Sequence, residues 1–295
     1  MYTTTFEYHR AGSAEEAVRL LAVYGDEAKL LAGGHSLIPL MKLRLARPGH
    51  LIDIRRAAGL TGVTLAGERI VIGAATPYRA LEESAELRRH LPMLAEAAGG
   101  IGDPQVRNMG TIGGSLAHAD PAADLPAVVL ALGAELVITG PRGERVLASD
   151  DFFRGLMATA LEPNELLREI RIPIPPAPSG GAYLKHPHPA SGFAVVGVAA
   201  LVGLDAEGRV QAARVALTGV APRAQRAGAV ERALVGLDIA ATRDWASALA
   251  TVADLAAEDL ELHADRTGSA DYRRSLVCVT TRRALERALA RAWSA

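Results

Sequence analysis

Two hydrophobic spacings alternate along the chain, and the switches between them predict its elements. Ala17, Val18, Leu21 and Ala22 recur at helical spacing behind Ser13-Ala14-Glu15-Glu16, a capping box with Ser13 as N-cap and Glu16 three residues on. Gly25 ends that helix. Residues 28–32 read as a buried strand entering a Gly-Gly turn, 37–45 as a short helix that tolerates Pro39 in its first turn, and 50–54 as a strand. A hairpin is predicted at 63–66 and 69–73 around Gly67-Glu68, then helices at 77–81, with Thr76 as N-cap, and at 92–98. Residues 124–132 read as a helix, 135–139 and 144–147 as a hairpin about Pro141-Arg142-Gly143, and 166–172 as a strand.

The pattern changes after the proline-rich stretch at 173–178, which reads as a stiff linker. Three strands are expected at 182–185, 193–204 and 210–217, with helices at 225–234, 240–257 and 271–291. These make a separate α+β unit. The expected division is therefore 1–175, with a subdomain boundary near 56 (1–56 and 57–175), and 176–295.

Two glycine turns interrupt the first part. One is Ala32-Gly33-Gly34-His35-Ser36; the other is Thr111-Ile112-Gly113-Gly114-Ser115, which closes the segment Ile101-Gly102-Asp103-Pro104-Gln105-Val106-Arg107-Asn108-Met109-Gly110. Within that segment Gly102-Asp103-Pro104 reads as a turn rather than a helix. Each turn is expected to follow a strand or extended segment, with Ser36 or Ser115 as a helix N-cap. Glycine lets backbone N–H groups approach a ligand where a side chain would block it, and each charge-assisted bond to a phosphate contributes roughly 1.5–3 kcal/mol. Two such turns suit the two halves of a pyrophosphate. Taken singly, each is equally well read as an ordinary tight turn.

Composition narrows the function. With 295 residues there is room for two or three compact units, and 32 basic against 33 acidic residues give a net charge of −1, which offers no electrostatic case for nucleic acid or an anionic membrane. The single cysteine, Cys278, excludes an internal disulfide and a cysteine-ligated iron–sulfur cluster built by this chain alone. It reads as a buried structural thiol within Leu276-Val277-Cys278-Val279. The first residues carry no apolar run behind a basic segment, and no stretch reaches the roughly 18 apolar residues of a membrane span, so a soluble cytoplasmic protein is expected.

No Gly-x-Gly-x-x-Gly lies between a strand and a helix, and there is no Walker A lysine motif. His186-Pro187-His188 is the tightest histidine cluster, but without a third ligand at recognisable spacing no metal site is expected. His35 is the better candidate for ligand contact. Asp53 reads as a structural hydrogen-bonding group. Asp124 reads equally well as a helix N-cap or as a ligand.

The runs AGGHSLIPLMKLR (32–44) and IGDPQVRNMGTIGGSLAHADPAAD (101–124), with Ser269-Ala270-Asp271-Tyr272-Arg273-Arg274, strongly resemble the FAD-binding medium subunit of the molybdenum hydroxylases, particularly of the aerobic carbon monoxide dehydrogenase type. The resemblance spans nearly the whole chain. It implies a two-subdomain FAD-binding domain of the vanillyl-alcohol-oxidase (PCMH) type, followed by a small α+β C-terminal domain with a three-stranded antiparallel sheet. It assigns Ala32, Gly33, Gly34, His35 and Ser36 and Thr111, Ile112, Gly113, Gly114 and Ser115 to the pyrophosphate, Ile101 and Lys185 to the neighbourhood of the flavin ring, and Asp124 to the cofactor. The run His186-Pro187-His188-Pro189-Ala190 lacks the arginines found beside this lysine in many relatives.

The implied function is electron transfer. Electrons from a molybdenum cofactor in a large subunit would pass through [2Fe–2S] clusters of a small subunit to FAD on this chain, then to an external acceptor, within a dimer of heterotrimers. No catalytic acid, base or nucleophile is assigned. Two rivals remain at this point: a self-sufficient FAD-dependent oxidoreductase, and a non-catalytic scaffold that has lost FAD.

Overall fold

The computed structural model describes residues 2–239, 241–242, 245–258, 260–262 and 264–294. The chain begins with a strand that the spacing did not reveal, Glu7–Arg10, which pairs in parallel with His50–Asp53; Ala28–Leu31 flanks the other side of that central strand. Parallel neighbours need a crossover. The helix Ala14–Tyr24 provides one, burying Ala14, Ala17, Val18 and Leu21, while Ser13 Oγ accepts from the Glu16 N–H at 3.2 Å as the capping box predicts. Within the central strand Asp53 is buried and accepts from the Tyr8 hydroxyl at 2.5 Å and the Arg55 guanidinium at 2.6 Å.

Next comes a five-stranded antiparallel sheet in the order Val63–Ala66, Arg69–Gly73, Leu166–Pro173, Glu135–Gly140, Gly143–Ala148. Both hairpins fall where the alternation placed them. Leu166–Pro173 closes the centre of the sheet from far along the chain, and helices stack on one face around Leu94, Leu116, Leu125 and Val128. Every residue of the helix Asp124–Ala131 is buried, which explains its continuous apolar run.

The C-terminal sheet has four antiparallel strands, Ser179–Pro187, Ala194–Leu204, Val210–Thr218 and Gln225–Arg226, rather than the three expected. Gln225 and Arg226 extend the sheet instead of starting a helix; that helix runs over Gly228–Leu234. Arg226 is held in extended backbone by its fork onto Glu231, whose Oε1 also accepts the Val215 N–H at 2.8 Å. The 24-residue helix Ala270–Trp293 packs across this sheet through Val277, Ala284, Leu285 and Leu289. The expected helix at 240–257 is present as Trp245–Asp254 plus a 3-10 turn at Leu255–Ala257; its first residue, Ala240, lies outside the described residues. Cys278 is half-buried, not fully enclosed.

Several boundaries differ at the glycine turns. The short helix after the first turn is Leu37–Lys42, not 37–45, because Arg44 turns left-handed at φ 60° and the Leu45 N–H folds back onto the Leu40 carbonyl. Ser36 occupies its N-cap but makes no side-chain cap bond. Pro77, not Thr76, caps the helix Tyr78–Glu83, since the Thr76 hydroxyl is occupied with the Gly62 backbone. Pro104–Met109 is a helix, with the Asp103 carboxylate accepting from the Val106 N–H at 2.9 Å and Pro104 in its first turn. The second glycine turn therefore follows a helix, and Thr111, not Ser115, caps the helix Ile112–His118.

Candidate functional site

The strand Ala28–Leu31 ends where the Leu31 carbonyl accepts the Ile54 N–H, and the chain then bends through Gly34 at φ 77° into the helix Leu37–Lys42. That left-handed bend needs glycine. The second turn lies against the first. A Cβ on Gly33 would overlap the Met109 carbonyl oxygen and sit 2.7 Å from Gly110 Cα, and one on Gly114 would be 3.9 Å from the Ala32 Cβ. The two glycine sequences thus form one wall, and Gly33 is needed for the close approach of protein backbone to protein backbone. This differs from the expectation that its bare Cα faces the ligand.

The donors are unevenly divided. Among the described residues, no protein acceptor pairs with the N–H groups of Gly33, Gly34, His35, Ser36 and Leu37. At the second turn Ile112 N–H reaches the Thr76 carbonyl at 3.1 Å, Gly113 N–H the Ala74 carbonyl at 2.8 Å, Gly114 N–H the Thr111 Oγ1 at 3.1 Å and Ser115 N–H the Thr111 carbonyl at 3.0 Å. The expectation of unpaired donors at both turns is corrected accordingly. The backbone just after the strand Arg69–Gly73 runs beside the second turn and takes two of its N–H groups. The first turn, half-buried with five adjacent donors, has the character of an anion nest. His35 and Ser36 are exposed on its rim.

Ile101 is fixed by Arg107, whose guanidinium donates to the Ile101 and Gly102 carbonyls at 3.2 and 3.1 Å and pairs with Glu82 at 3.0 Å. Tyr78, unremarked in the sequence, lies beneath the second turn. Its N–H reaches the Gly110 carbonyl at 2.9 Å, and its ring would collide with any side chain at Gly110. Burial pushes its phenol up to about 12, against a hydrogen bond from Ser115.

Asp124 is the first residue of its helix rather than its N-cap, and both carboxylate oxygens are engaged from the neighbouring sheet. The Tyr183 hydroxyl donates to Oδ1 at 2.5 Å and the Lys185 ammonium to Oδ2 at 3.2 Å. Alternation along the strand Ser179–Pro187 brings residues 183 and 185 to one face. Burial pushes the Asp124 carboxyl up, while Lys185 and Tyr183 pull it back; burial and the Asp124 charge raise Tyr183 well above the ordinary phenol value. Lys185 also donates to the Gly192 carbonyl at 2.9 Å, so it anchors the loop that follows its strand. Tyr183 was legible only as the residue two before Lys185.

Segment 121–124 is clamped to the C-terminal sheet. Thr218 Oγ1 donates to the Pro121 carbonyl at 2.7 Å, and the Gly219 N–H reaches the same oxygen at 2.6 Å. Arg273, from the third quoted motif, is 2% exposed, reaches the Val195 carbonyl at 2.8 Å and the Gly219 carbonyl, and pairs with Asp265 at 2.7 Å. A cavity of about 210 Å³ opens between Pro121, Phe193, Gly219 and Arg273. His118 is half-buried at the end of its helix.

The motif residues thus come from distant parts of the chain to one seam. Residues 4–175 match the family described as FAD binding domain in molybdopterin dehydrogenase, and 181–288 match the CO dehydrogenase flavoprotein C-terminal domain. The chain belongs to this flavoprotein family. The carbon monoxide dehydrogenase medium chain of Afipia carboxidovorans is 43% identical over 294 residues, and that of Hydrogenophaga pseudoflava 44% identical over 291 residues, each alignment covering 99% of both chains. A solved structure of the Hydrogenophaga pseudoflava carbon monoxide dehydrogenase, lacking the Mo-pyranopterin moiety of its cofactor, superposes with a TM-score of 0.94 at 46% identity over 99% of both chains. Within this flavoprotein family, the five-donor turn fits the phosphates of FAD by the chemistry of its donors.

Proposed function

We propose that this chain is the FAD-carrying, electron-transferring medium subunit of a molybdenum hydroxylase of the carbon monoxide dehydrogenase kind. The observation that carries the reading is the run of five adjacent unpartnered N–H groups from Gly33 to Leu37, held in place by the second glycine turn. Gly33, Gly34, His35, Ser36 and Ala32 hold the pyrophosphate from one side, and Thr111, Ile112, Gly113, Gly114 and Ser115 form the wall that fixes their spacing. Ile101 lies along the flavin ring, and Asp124 with Lys185 holds the sheet and the 188–193 loop at its edge. FAD, when bound, accepts electrons singly from an iron–sulfur cluster and releases them singly or in pairs.

The chain itself positions the cofactor and excludes water; it supplies no proton-transfer group of its own. With one cysteine it depends on a small subunit for [2Fe–2S] clusters and on a large subunit for the molybdenum cofactor and the substrate. A dimer of such heterotrimers delivering electrons to an external acceptor in the cytoplasm completes the proposal. Among the described residues no helix is long and apolar enough to cross a membrane. The family matches at 4–175 and 181–288 support a division into a FAD-binding domain, 1–175, and a C-terminal domain, 176–295, with the subdomain boundary near 56.

The test is purification from the native host followed by anaerobic addition of carbon monoxide. Flavin bleaching in a complex that contains iron–sulfur and molybdenum subunits, and none with the isolated chain, is the expected result. Reduction by a different substrate alone would reject carbon monoxide, and steady turnover by the chain without partners would reject the relay.

A further inference from the structure

At the opposite end of the parallel sheet from the glycine turns, three metal-binding groups converge. Strand pairing sets Glu7 beside His50, with His9 two residues further along the outer strand. Strand rise places this row about 10 Å from Leu31, where the cofactor turn begins. His9 Nε2 and His50 Nδ1 are 3.1 Å apart, and the Glu7 Oε2 lies 3.8 Å from the first and 3.5 Å from the second. A triangle with those sides has a point about 2.0 Å from all three atoms, the length of a bond from Zn²⁺ to imidazole nitrogen or carboxylate oxygen.

The surroundings favour this arrangement. Tyr24, at the end of the crossover helix, stacks on His50 with ring centres 3.7 Å apart and planes 13° apart, and on His9 at 4.8 Å. Stacking covers ring faces and leaves the edges free. The nitrogen lone pairs lie in those edges. Both imidazoles are mostly buried, at 20% and 17% side-chain exposure, while Glu7 at 72% stands at the solvent side. With no metal, one ring must donate its N–H to the other; a dication replaces that single proton and satisfies all three acceptors at once.

We propose that Glu7, His9 and His50 form a structural site for a borderline divalent metal of the Zn²⁺ class, with a water in the fourth position, tying the N-terminal strand to the central strand of its sheet. Two imidazole nitrogens and one carboxylate oxygen about 2.0 Å from a common point suit zinc better than the harder, higher-coordinate calcium or magnesium, which favour all-oxygen donor sets. The site stands apart from the cofactor seam. Its occupancy is independent of flavin.

The experiment loads the full chain with zinc, removes excess by gel filtration, and measures bound metal and affinity by competition with a chromogenic chelator. One zinc per chain is expected, with His9→Gln or His50→Gln weakening it at least a hundredfold and Glu7→Gln about tenfold, while His186→Ala together with His188→Ala leaves it unchanged. Zinc K-edge absorption of the unmodified chain should show two imidazole nitrogens at about 2.0 Å, a readout that needs no variant to fold. Flavin content should be the same with and without zinc. No stoichiometric zinc, an absorption spectrum without paired imidazoles, or loss of binding only in the His186 and His188 variant would overturn the assignment.

Discussion

Replacing Gly33 by alanine adds one methyl group where the two glycine turns touch. The built Cβ overlaps the Met109 carbonyl oxygen and lies 2.7 Å from Gly110 Cα, whereas ordinary carbon contacts begin near 3.5 Å. Neither neighbour is a flexible side-chain end; both are backbone, and Gly110 is itself backed by the Tyr78 ring at 2.5 Å from its own would-be Cβ. The first turn must therefore retreat by roughly an ångström, a strain of about 1–3 kcal/mol. Such a shift takes N–H groups from hydrogen-bonding range to beyond it. If two of the five donors are lost at about 1.5–3 kcal/mol each, FAD affinity falls by roughly 3–6 kcal/mol, or about 10² to 10⁴-fold.

Flavin removal and fluorescence-quenching titration with FAD measure the affinity directly. Thermal unfolding of the apoprotein measures the strain separately. Gly155→Ala is the control, because its added Cβ meets nothing closer than the Ala158 Cβ at 4.0 Å. FAD affinity within about threefold of wild type in Gly33→Ala would refute the close-packed cradle.

Three further outcomes follow from the seam and the first sheet. Lys185→Met leaves the Asp124 carboxyl buried without its cation; because burial already raises this group above its unfolded 3.8, stability falls as pH rises past that value, and the variant should lose more than wild type between pH 5 and pH 8 in urea unfolding. An equal slope in both proteins would show that the pair contributes nothing. The Asp53 carboxyl is held down at about 2: burial acts against this, but hydrogen bonds from Arg55 and Tyr8 outweigh it, so its contribution is complete above 3.8 and disappears as pH falls through about 2. Asp53→Asn should flatten the acid limb of the stability curve measured from pH 5 downward, and an unchanged limb would contradict the assignment. Arg273→Met removes the donor shared by Val195, Gly219 and Asp265, and about 3–5 kcal/mol of stability should be lost, read by amide exchange in the C-terminal sheet.

The sequence by itself determined the local elements whose causes are local. The Ser13 capping box, the Gly67-Glu68 hairpin and the apolar run of Asp124–Ala131 each follow from a few adjacent residues, and the structure reproduces them. The motifs of both glycine turns were equally plain. Only the tertiary structure decided which of their N–H groups are paired. Whether an N–H is free depends on which carbonyl lies beside it: Ala74 and Thr76, just after the strand ending at Gly73, take two donors of the second turn and Thr111 takes two more, while the donors of the first turn meet none. Likewise Asp124 is set by Tyr183 and Lys185, 59 and 61 residues away, and the Glu7, His9 and His50 cluster exists because parallel pairing joins residues 41 apart. Sequence spacing records contacts along one element, whereas burial and hydrogen-bond competition act between elements that meet only once the chain has folded.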